Sequence, residues 1–362
     1  MNVVVALGTR PEIVKLAPVI RALSEPPTVV HTGQHYDTNM TGLFFDAFGL
    51  PEPSHRLEVG GKTRGQQIGS AVSGLDQLFE RQAPSVVMAQ GDTNSTMAAA
   101  IAANARSIPF VHVEAGLRSY DRAMPEEHNR VVADHLSDLC LAPTQVSEAN
   151  LEAEGISPDR IVITGNTVVD ALNHLLPDSE ARTKVLADHG VPSEGFVLST
   201  FHRPENVDDP TRLQAIVEQL ARLDLPTILP VHPRTRAIAT THGIDLEPGA
   251  VRTCDPLGYV EFLSLRAECR LAVADSGGLQ EEVSVLKRPM VVVRNSTERP
   301  EVLGTFSTLV PVGEEIARTG ERWLADEPFS LAELRAMPSP YGDGDAGARS
   351  ATAIETLIAR RA

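Results

Sequence analysis

The chain contains 362 residues, a length typical of two domains that each bury their own core. Hydrophobic residues make up 42% and charged residues 22%, which excludes disordered and collagen-like chains. With 32 basic and 48 acidic side chains the formal net charge is −16, which argues against binding duplex nucleic acid through a broad basic face. No apolar run reaches the ~20 residues of a membrane span, and the opening MNVVVAL lacks the basic region of a secretory signal. We therefore expect a cytoplasmic protein, and its three scattered cysteines predict neither disulfides nor structural zinc.

Short β-branched segments alternate with stretches of helical periodicity, and they do so in two series. The first series predicts strands at residues 2–7, 28–31, 85–90, 109–113 and 160–163. The second begins near residue 195 and predicts further strands at 226–231, 270–274 and 289–293. Continuous apolar strands separated by helices indicate parallel sheets that are covered on both faces. The sequence therefore predicts an α/β fold of two doubly wound, Rossmann-like domains.

The domain boundary is expected within residues 166–194, where a charged and proline-bearing stretch separates the two series. We place the first domain at residues 1–168 and the second at 169–345, and residues 346–362 are predicted to form one final helix. Ligands of doubly wound sheets bind beyond the carboxyl ends of the strands. The polar residues that follow each strand are therefore the candidates for function.

Two segments have the features of anion-binding turns. GTRPE at 8–12 follows the first strand and leads into a helix, where Arg10 and Lys15 add positive charge. Ser276-Gly277-Gly278 follows the strand at 270–274, and backbone N–H groups of such a turn approach a diphosphate closely. Glu282 lies one turn further on, where a carboxylate accepts hydrogen bonds from a ribose diol. The structural alternatives are a capped helix at GTRPE and an ordinary glycine turn at 276–278.

The triplet Arg-Pro-Glu occurs three times, each time just beyond an apolar strand. The copies stand at 10–12, 203–205 and 299–301. His202 precedes the second copy, and we expect it at the mouth of a domain. Isolated histidines after strands are more often structural than catalytic, so His202 alone does not decide the question.

Carboxylates follow two neighbouring strands of the first series. Asp92 follows the strand at 85–90, Glu114 the strand at 109–113, and Glu126 lies in the next loop. Carboxyl groups at adjacent strand ends are the groups from which general acids and bases are tuned. The structural alternative is that Asp92 and Glu114 cap helices or pair with Arg118 and Arg130. The histidines show no metal-ligand spacing and no dinucleotide fingerprint is present, so we expect no metal and no cofactor.

Taken together, eleven segments resemble the non-hydrolysing UDP-N-acetylglucosamine 2-epimerases. In chain order they are GTRPEIVKLAP, TGQHYD, QGDT, HVEAGLRS, PEEHNR, TGNTVVD, TFHRPEN, HPRT, DSGGLQEE, TERPE and GDGDA. They span nearly the whole chain. The resemblance implies a glycosyltransferase-B type fold with an interdomain cleft, and a last helix that crosses back to the first domain.

The resemblance also implies roles for individual residues. It implies that Ser276, Gly277 and Gly278 hold the diphosphate, that Glu282 binds the ribose and that Phe262 lines the uracil. Arg10, Lys15 and Arg299 would contact phosphate or sugar. The implied catalytic residues are Asp92, Glu114, Glu126 and His202. A second UDP-N-acetylglucosamine acts as an activator in some members, and the region of Gln34, His35, Arg203 and His232 is similar to that site.

The implied reaction is reversible epimerisation at carbon 2 of UDP-N-acetylglucosamine, through elimination of UDP to a 2-acetamidoglucal. The family is commonly homodimeric and serves cell-surface polysaccharide synthesis. Four alternatives stay open: a hydrolysing epimerase that releases N-acetylmannosamine, an epimerase for a more decorated UDP-sugar, a glycosyltransferase of the same fold, and a UDP-sugar sensor without catalysis.

Overall fold

The computed structural model describes residues 2–34 and 38–361. Its strands and helices follow one another in this order: β1 Val3–Leu7, α1 Arg10–Ala22, β2 Thr28–His31, α2 Thr38–Ala47, β3 His55–Arg56, α3 Arg64–Gln82, β4 Val86–Gln90, α4 Asn94–Ala105, β5 Phe110–Val113, α5 Pro125–Leu136, β6 Leu139–Ala142, α6 Gln145–Ala153, β7 Ile161–Ile163, α7 Thr167–Leu175, α8 Ser179–Asp188, β8 Val197–Thr200, α9 Pro204–Val207, α10 Pro210–Leu220, β9 Thr227–Pro230, α11 Pro233–His242, β10 Val251–Cys254, α12 Tyr259–Glu268, β11 Leu271–Ala274, α13 Gly277–Leu286, β12 Met290–Val293, β13 Ser307–Val310, α14 Glu315–Leu324, α15 Leu331–Ala336 and α16 Ala346–Arg361.

The first compact unit comprises residues Met1–Leu175 together with Tyr341–Ala362. Within its described residues, seven parallel strands form one sheet in the order β3-β2-β1-β4-β5-β6-β7. The central strands are buried along their whole length because helices cover both faces of the sheet. The last helix, α16, packs on α1 and α7. Its Gly347 lies so close to α1 that a Cβ atom would stand 2.8 Å from the backbone of Pro18.

The second compact unit comprises residues Leu176–Pro340. Its described strands form a parallel sheet in the order β10-β9-β8-β11-β12-β13. The two sheets thus repeat one strand order, in which the chain starts at the centre, builds one edge and then crosses to build the other. This confirms the predicted α/β class with two doubly wound, Rossmann-like domains. The boundaries at 168 and 345 stay predictions, and the first of them falls inside α7.

The predicted strands agree with the structure to within two residues at each end, and the predicted final helix is α16. Four strands were not predicted: β3, β6, β10 and β13. The expected linker at 166–194 contains two helices, α7 and α8. None of the helices in the described part of the chain is long and apolar enough to span a bilayer.

Candidate functional site

The turn after β1 joins two loops through a buried carboxylate. Glu12, in the first turn of α1, accepts a hydrogen bond from the backbone N–H of Gly8 at 3.0 Å and another from the hydroxyl of Thr93 at 2.9 Å. Burial raises the pKa of Glu12 to about 7, although these hydrogen bonds lower it. Because Thr93 directly follows Asp92, Glu12 links the loop of Arg10 to the loop of Asp92.

Two of the candidate residues meet in the first unit. The Lys15 ammonium, on α1, forms a buried ion pair with the Glu114 carboxylate beyond β5. The amide of Asn166 donates to the same carboxylate at 3.2 Å. Glu114 has a φ of +67°, a left-handed conformation that costs a non-glycine residue on the order of 1 kcal/mol. Arg10 is half-buried as the first residue of α1.

Asp92 is held by α5, the helix of the PEEHNR segment. Its carboxylate forms an ion pair with Arg130, and its backbone carbonyl accepts from the amide of Asn129 at 2.8 Å. The Asp92 side chain keeps 29% of its surface exposed, whereas that of Arg130 is 2% exposed. A structural ion pair between Asp92 and Arg130 was the alternative to a catalytic role for Asp92. The structure contains this ion pair, and the Asp92 carboxylate is still accessible.

The neighbouring carboxylates of α5 differ in exposure. Glu126 is exposed in the first turn of α5. Glu127 is buried and accepts from the backbone N–H groups of Ser119 and Tyr120, each at 3.0 Å, which fixes the loop between β5 and α5. Arg118 forms ion pairs with Asp134 and Glu154, which lie on α5 and directly after α6.

In the second unit, Ser276-Gly277-Gly278 forms the turn between β11 and α13. Ser276 is the N-cap residue, and its hydroxyl accepts from the N–H of Leu279 at 3.4 Å. A Cβ atom on Gly277 would stand 2.9 Å from the Arg299 guanidinium, whereas one on Gly278 would meet no atom within 4 Å. The helix N-terminus is therefore open on the Gly278 side, where its N–H groups favour an anion.

Arg299 lies in a buried network of charges beside this turn. Its Nε atom donates to Glu281 at 2.7 Å, and its Nη1 pairs with Glu298. Glu298 also accepts from Arg294 at 2.8 Å. Arg299 thus has two carboxylate partners, and its guanidinium lies close against Gly277.

His202 is oriented by Asp275, the residue before Ser276. The Asp275 Oδ1 atom lies 3.0 Å from the His202 Nδ1 atom, and the His202 side chain is 59% exposed. Burial alone would raise the pKa of Asp275, but hydrogen bonds from His202, Asn206 and the N–H of Arg203 hold it below its usual range. His202 therefore presents its Nε2 edge to solvent at the same strand ends as the Ser276 turn.

Glu282 and Phe262 share one partner, Arg266. The Glu282 carboxylate forms an ion pair with Arg266, whose side chain is 1% exposed, and accepts from the Tyr259 hydroxyl at 3.3 Å. The Arg266 guanidinium lies 5.3 Å from the centre of the Phe262 ring. Side chains of α12 thus position the Glu282 carboxylate, which belongs to α13, and the Phe262 ring, which belongs to α12 itself. These are the two groups that the resemblance assigns to the nucleoside.

The four residues assigned to an activator have different surroundings. Gln34 accepts from the N–H and hydroxyl of Ser95 in the first unit. Arg203 donates from Nε to the carbonyl of Asp275 at 3.1 Å, and His232 is the exposed N-cap residue of α11. His35 lies outside the described residues.

Sequence reasoning assigned no role to Glu12, Asn129, Asp275 or Arg266. The first three lie in segments that carry the family resemblance, one to three residues from a residue with an implied role. That proximity was the only indication of their function in the sequence. Arg266 gave no such signal, because only the fold of α12 and α13 brings it to Glu282. Among residues 2–34 and 38–361 there is no cluster of three or more side chains suited to bind a metal ion.

Known proteins match the chain over almost its whole length. The model of the UDP-N-acetylglucosamine 2-epimerase family matches residues 21–355. The chain belongs to this family. A family relative, the UDP-N-acetylglucosamine 2-epimerase of Methanocaldococcus jannaschii, is 38% identical over 96% of this chain and 97% of its own.

A solved structure of that epimerase and one further family relative also match the chain. A crystal structure of the Methanocaldococcus jannaschii epimerase in complex with UDP-GlcNAc and UDP superposes with a TM-score of 0.88 at 37% identity, covering 98% of this chain and 100% of that one. The UDP-2,3-diacetamido-2,3-dideoxy-D-glucuronate 2-epimerase of Pseudomonas aeruginosa is 37% identical over 99% of this chain and 100% of its own.

Proposed function

We propose that the protein interconverts UDP-N-acetylglucosamine and UDP-N-acetylmannosamine without releasing the free sugar. The observation that carries the proposal is the His202–Asp275 pair beside the open N-terminus of α13, in a chain of this family. It puts an oriented imidazole at the strand ends where the Ser276 turn offers N–H groups to a diphosphate. We assign the diphosphate to Ser276, Gly277 and Gly278.

The chemistry is difficult because the hydrogen on carbon 2 is not next to a carbonyl group. In the proposed reaction a base removes this proton, the electron pair forms a carbon 1–carbon 2 double bond, and the carbon 1–oxygen bond breaks as UDP leaves. UDP then adds back to carbon 1 of the 2-acetamidoglucal while carbon 2 receives a proton on its other face. Each step transfers a proton or makes or breaks a carbon–oxygen bond, and no step oxidises or reduces the sugar, so the proposed reaction uses no redox cofactor.

We assign the proton transfers to Asp92, Glu114 and Glu126, with His202 as the fourth catalytic residue. Asp92 and Glu114 each face a cation, Arg130 and Lys15, while Asp92 stays accessible. N–H groups at the α13 terminus, with Arg10 and Arg299, stabilise the charge on the departing diphosphate.

Glu282 and Phe262 are assigned to the ribose and the uracil, held in place by Arg266. The proposal also includes a cytoplasmic homodimer and activation by a second UDP-sugar near Gln34, His35, Arg203 and His232. These parts rest on the family resemblance.

Product analysis tests the proposal against its rivals. Incubation with UDP-N-acetylglucosamine is expected to yield UDP-N-acetylmannosamine at a constant total of UDP-sugar. Release of UDP and free N-acetylmannosamine in equal amounts would instead identify a hydrolysing epimerase. A diacetamido-uronate UDP-sugar belongs in the same panel because a 37% identical relative bears that name. Turnover of that sugar alone would change the assigned substrate.

A further inference from the structure

One face of α5 contacts two loops and one strand of the first unit. Glu127, Arg130 and Asp134 stand three and four residues apart, so they share one side of the helix. Glu127 holds the loop of Ser119, Arg130 pairs with Asp92, and Asp134 is buried against β5. Asp134 and its partner on β5 have no part in the chemistry described above.

That partner is His112, a completely buried residue of β5. Its Nδ1 atom lies 2.6 Å from Asp134 Oδ1, and its Nε2 atom lies 2.7 Å from the carbonyl oxygen of Gly91. The second carboxylate oxygen of Asp134 accepts from the N–H of Gly116 at 3.2 Å and lies 2.7 Å from Arg118 Nη1. The His112 ring therefore lies between two oxygen atoms, one on each nitrogen.

These contacts fix the protonation of the ring. The Gly91 carbonyl can only accept a hydrogen bond, and a neutral imidazole has a single N–H group. Asp134 accepts as well, because its carboxylate is also paired with Arg118 and bound by the N–H of Gly116. Both contacts are hydrogen bonds only if both ring nitrogens of His112 carry a proton.

We propose that His112 is a doubly protonated positioning residue whose two N–H groups fix the loops that carry Asp92 and Glu114. Gly91 immediately precedes Asp92, and Gly116, which Asp134 holds, lies two residues after Glu114. Both glycines have positive φ values, +74° and +85°, so these turns follow a backbone path that needs support. The inference rests on the proposed function, in which both carboxylates act on the sugar.

His112→Gln and His112→Asn test the inference, because each retains an amide but cannot donate to both oxygens. We expect kcat to fall by about 100-fold, because a displacement near 1 Å at a reacting group costs this much. The KM for the UDP-sugar and the Kd for UDP should stay within a factor of about two, since ground-state binding is unaffected. Val111→Ala is the matched control: it truncates an equally buried neighbour on β5. It should lower Tm and leave kcat unchanged.

Nitrogen-15 spectra of protein with labelled histidine give a second, independent readout. We expect one histidine with slowly exchanging protons on both ring nitrogens, and its signals should vanish in His112→Gln. A single protonated nitrogen, an unchanged kcat in both variants, or an equal loss of kcat in Val111→Ala would each overturn the inference. If the wild-type protein interconverts no UDP-sugar, the proposed function is wrong, and the predicted loss of kcat in the His112 variants no longer applies. The spectra then still decide the protonation of His112.

Discussion

The Asp275 Oδ1 atom lies 3.0 Å from the Nδ1 atom of the His202 imidazole, and the backbone N–H of His202 donates to the same atom at 3.2 Å. The same carboxylate accepts from the amide of Asn206 at 3.0 Å and from the N–H of Arg203 at 3.1 Å, so it cannot turn away. An imidazole bound through Nδ1 presents Nε2 on its opposite side. Asp275 therefore decides which nitrogen of His202 is available to a substrate.

Replacing Asp275 with asparagine should abolish this selection. The new amide can donate to Nδ1 and so favour the tautomer with its proton on Nε2. We expect kcat to fall on the order of 10²-fold or more, with a small change in UDP affinity measured by calorimetry. Asp208→Asn, at an exposed ion pair of the same unit with Arg234, is the control and should keep full activity. Unchanged turnover in Asp275→Asn would show that the orientation of His202 is immaterial.

Asp92→Asn and Glu114→Gln should separate catalysis from binding. Each removes a proposed proton-transfer group, so kcat should fall by about 10²–10⁴-fold while UDP binding stays nearly constant. Steady-state kinetics and calorimetry with UDP measure the two effects. Glu152→Gln, which neutralises an exposed residue of α6, serves as the control. Weaker UDP binding with normal turnover of bound substrate would contradict the assigned roles.

Glu282→Ala should have two effects with different origins. Loss of the carboxylate removes a ribose contact and should weaken UDP binding about 10-fold. It also removes the partner of the buried Arg266, which should destabilise the second unit by about 3–5 kcal/mol. Trp323, the one tryptophan of the sequence, is buried in that unit, so its fluorescence during urea unfolding reports on it.

The double variant Glu282→Ala/Arg266→Met separates these effects. With the buried charge gone, the stability should return toward that of the wild type. The weakened UDP binding should persist, because the ribose contact is still missing. Recovery of both properties would show that Glu282 acts only through Arg266.

Glu12 should make the stability of the first unit depend on pH. Its pKa is about 7 in the folded chain and 4.5 in the unfolded chain, so between these values the folded state binds more protons. The contribution of Glu12 to stability is therefore complete below pH 4.5 and is lost as pH rises to 7, by roughly 3 kcal/mol. Glu12→Gln, which mimics the protonated form, should gain stability relative to the wild type between pH 5 and pH 8.

Urea unfolding followed by circular dichroism at both pH values measures this gain. Glu321→Gln, an exposed substitution in the second unit, is the control. A stability difference between Glu12→Gln and the wild type that is equal at pH 5 and pH 8 would contradict the prediction.

The apolar strands and the turns that follow them were predictable because both leave local signals. Val3–Leu7 and Met290–Val293 are β-branched runs bounded by polar turns, and hydrophobicity alone identifies them. The strand Leu139–Ala142 has no β-branched residue, and His55–Arg56 has only two residues, so neither stood out. The helix Thr167–Leu175 was missed because it directly precedes a proline-bearing loop.

The charge pairs of the site were less predictable, because sequence separation hides them. Lys15 and Glu114 lie 99 residues apart, and Arg130 and Asp92 lie 38 residues apart. The sequence assigns His112 no role, since a lone histidine in a strand does not reveal that oxygen atoms flank both ring nitrogens. Such contacts depend on the register of β4, β5 and α5, which three-dimensional packing determines.

Isotope exchange in heavy water tests the central claim most directly, because proton removal from carbon 2 is its essential step. With UDP-N-acetylglucosamine and wild-type protein in deuterium oxide, we predict that the UDP-N-acetylmannosamine formed carries deuterium at carbon 2. At equilibrium the recovered UDP-N-acetylglucosamine should also carry deuterium at carbon 2. Formation of the epimer with its original hydrogen at carbon 2 would contradict the account.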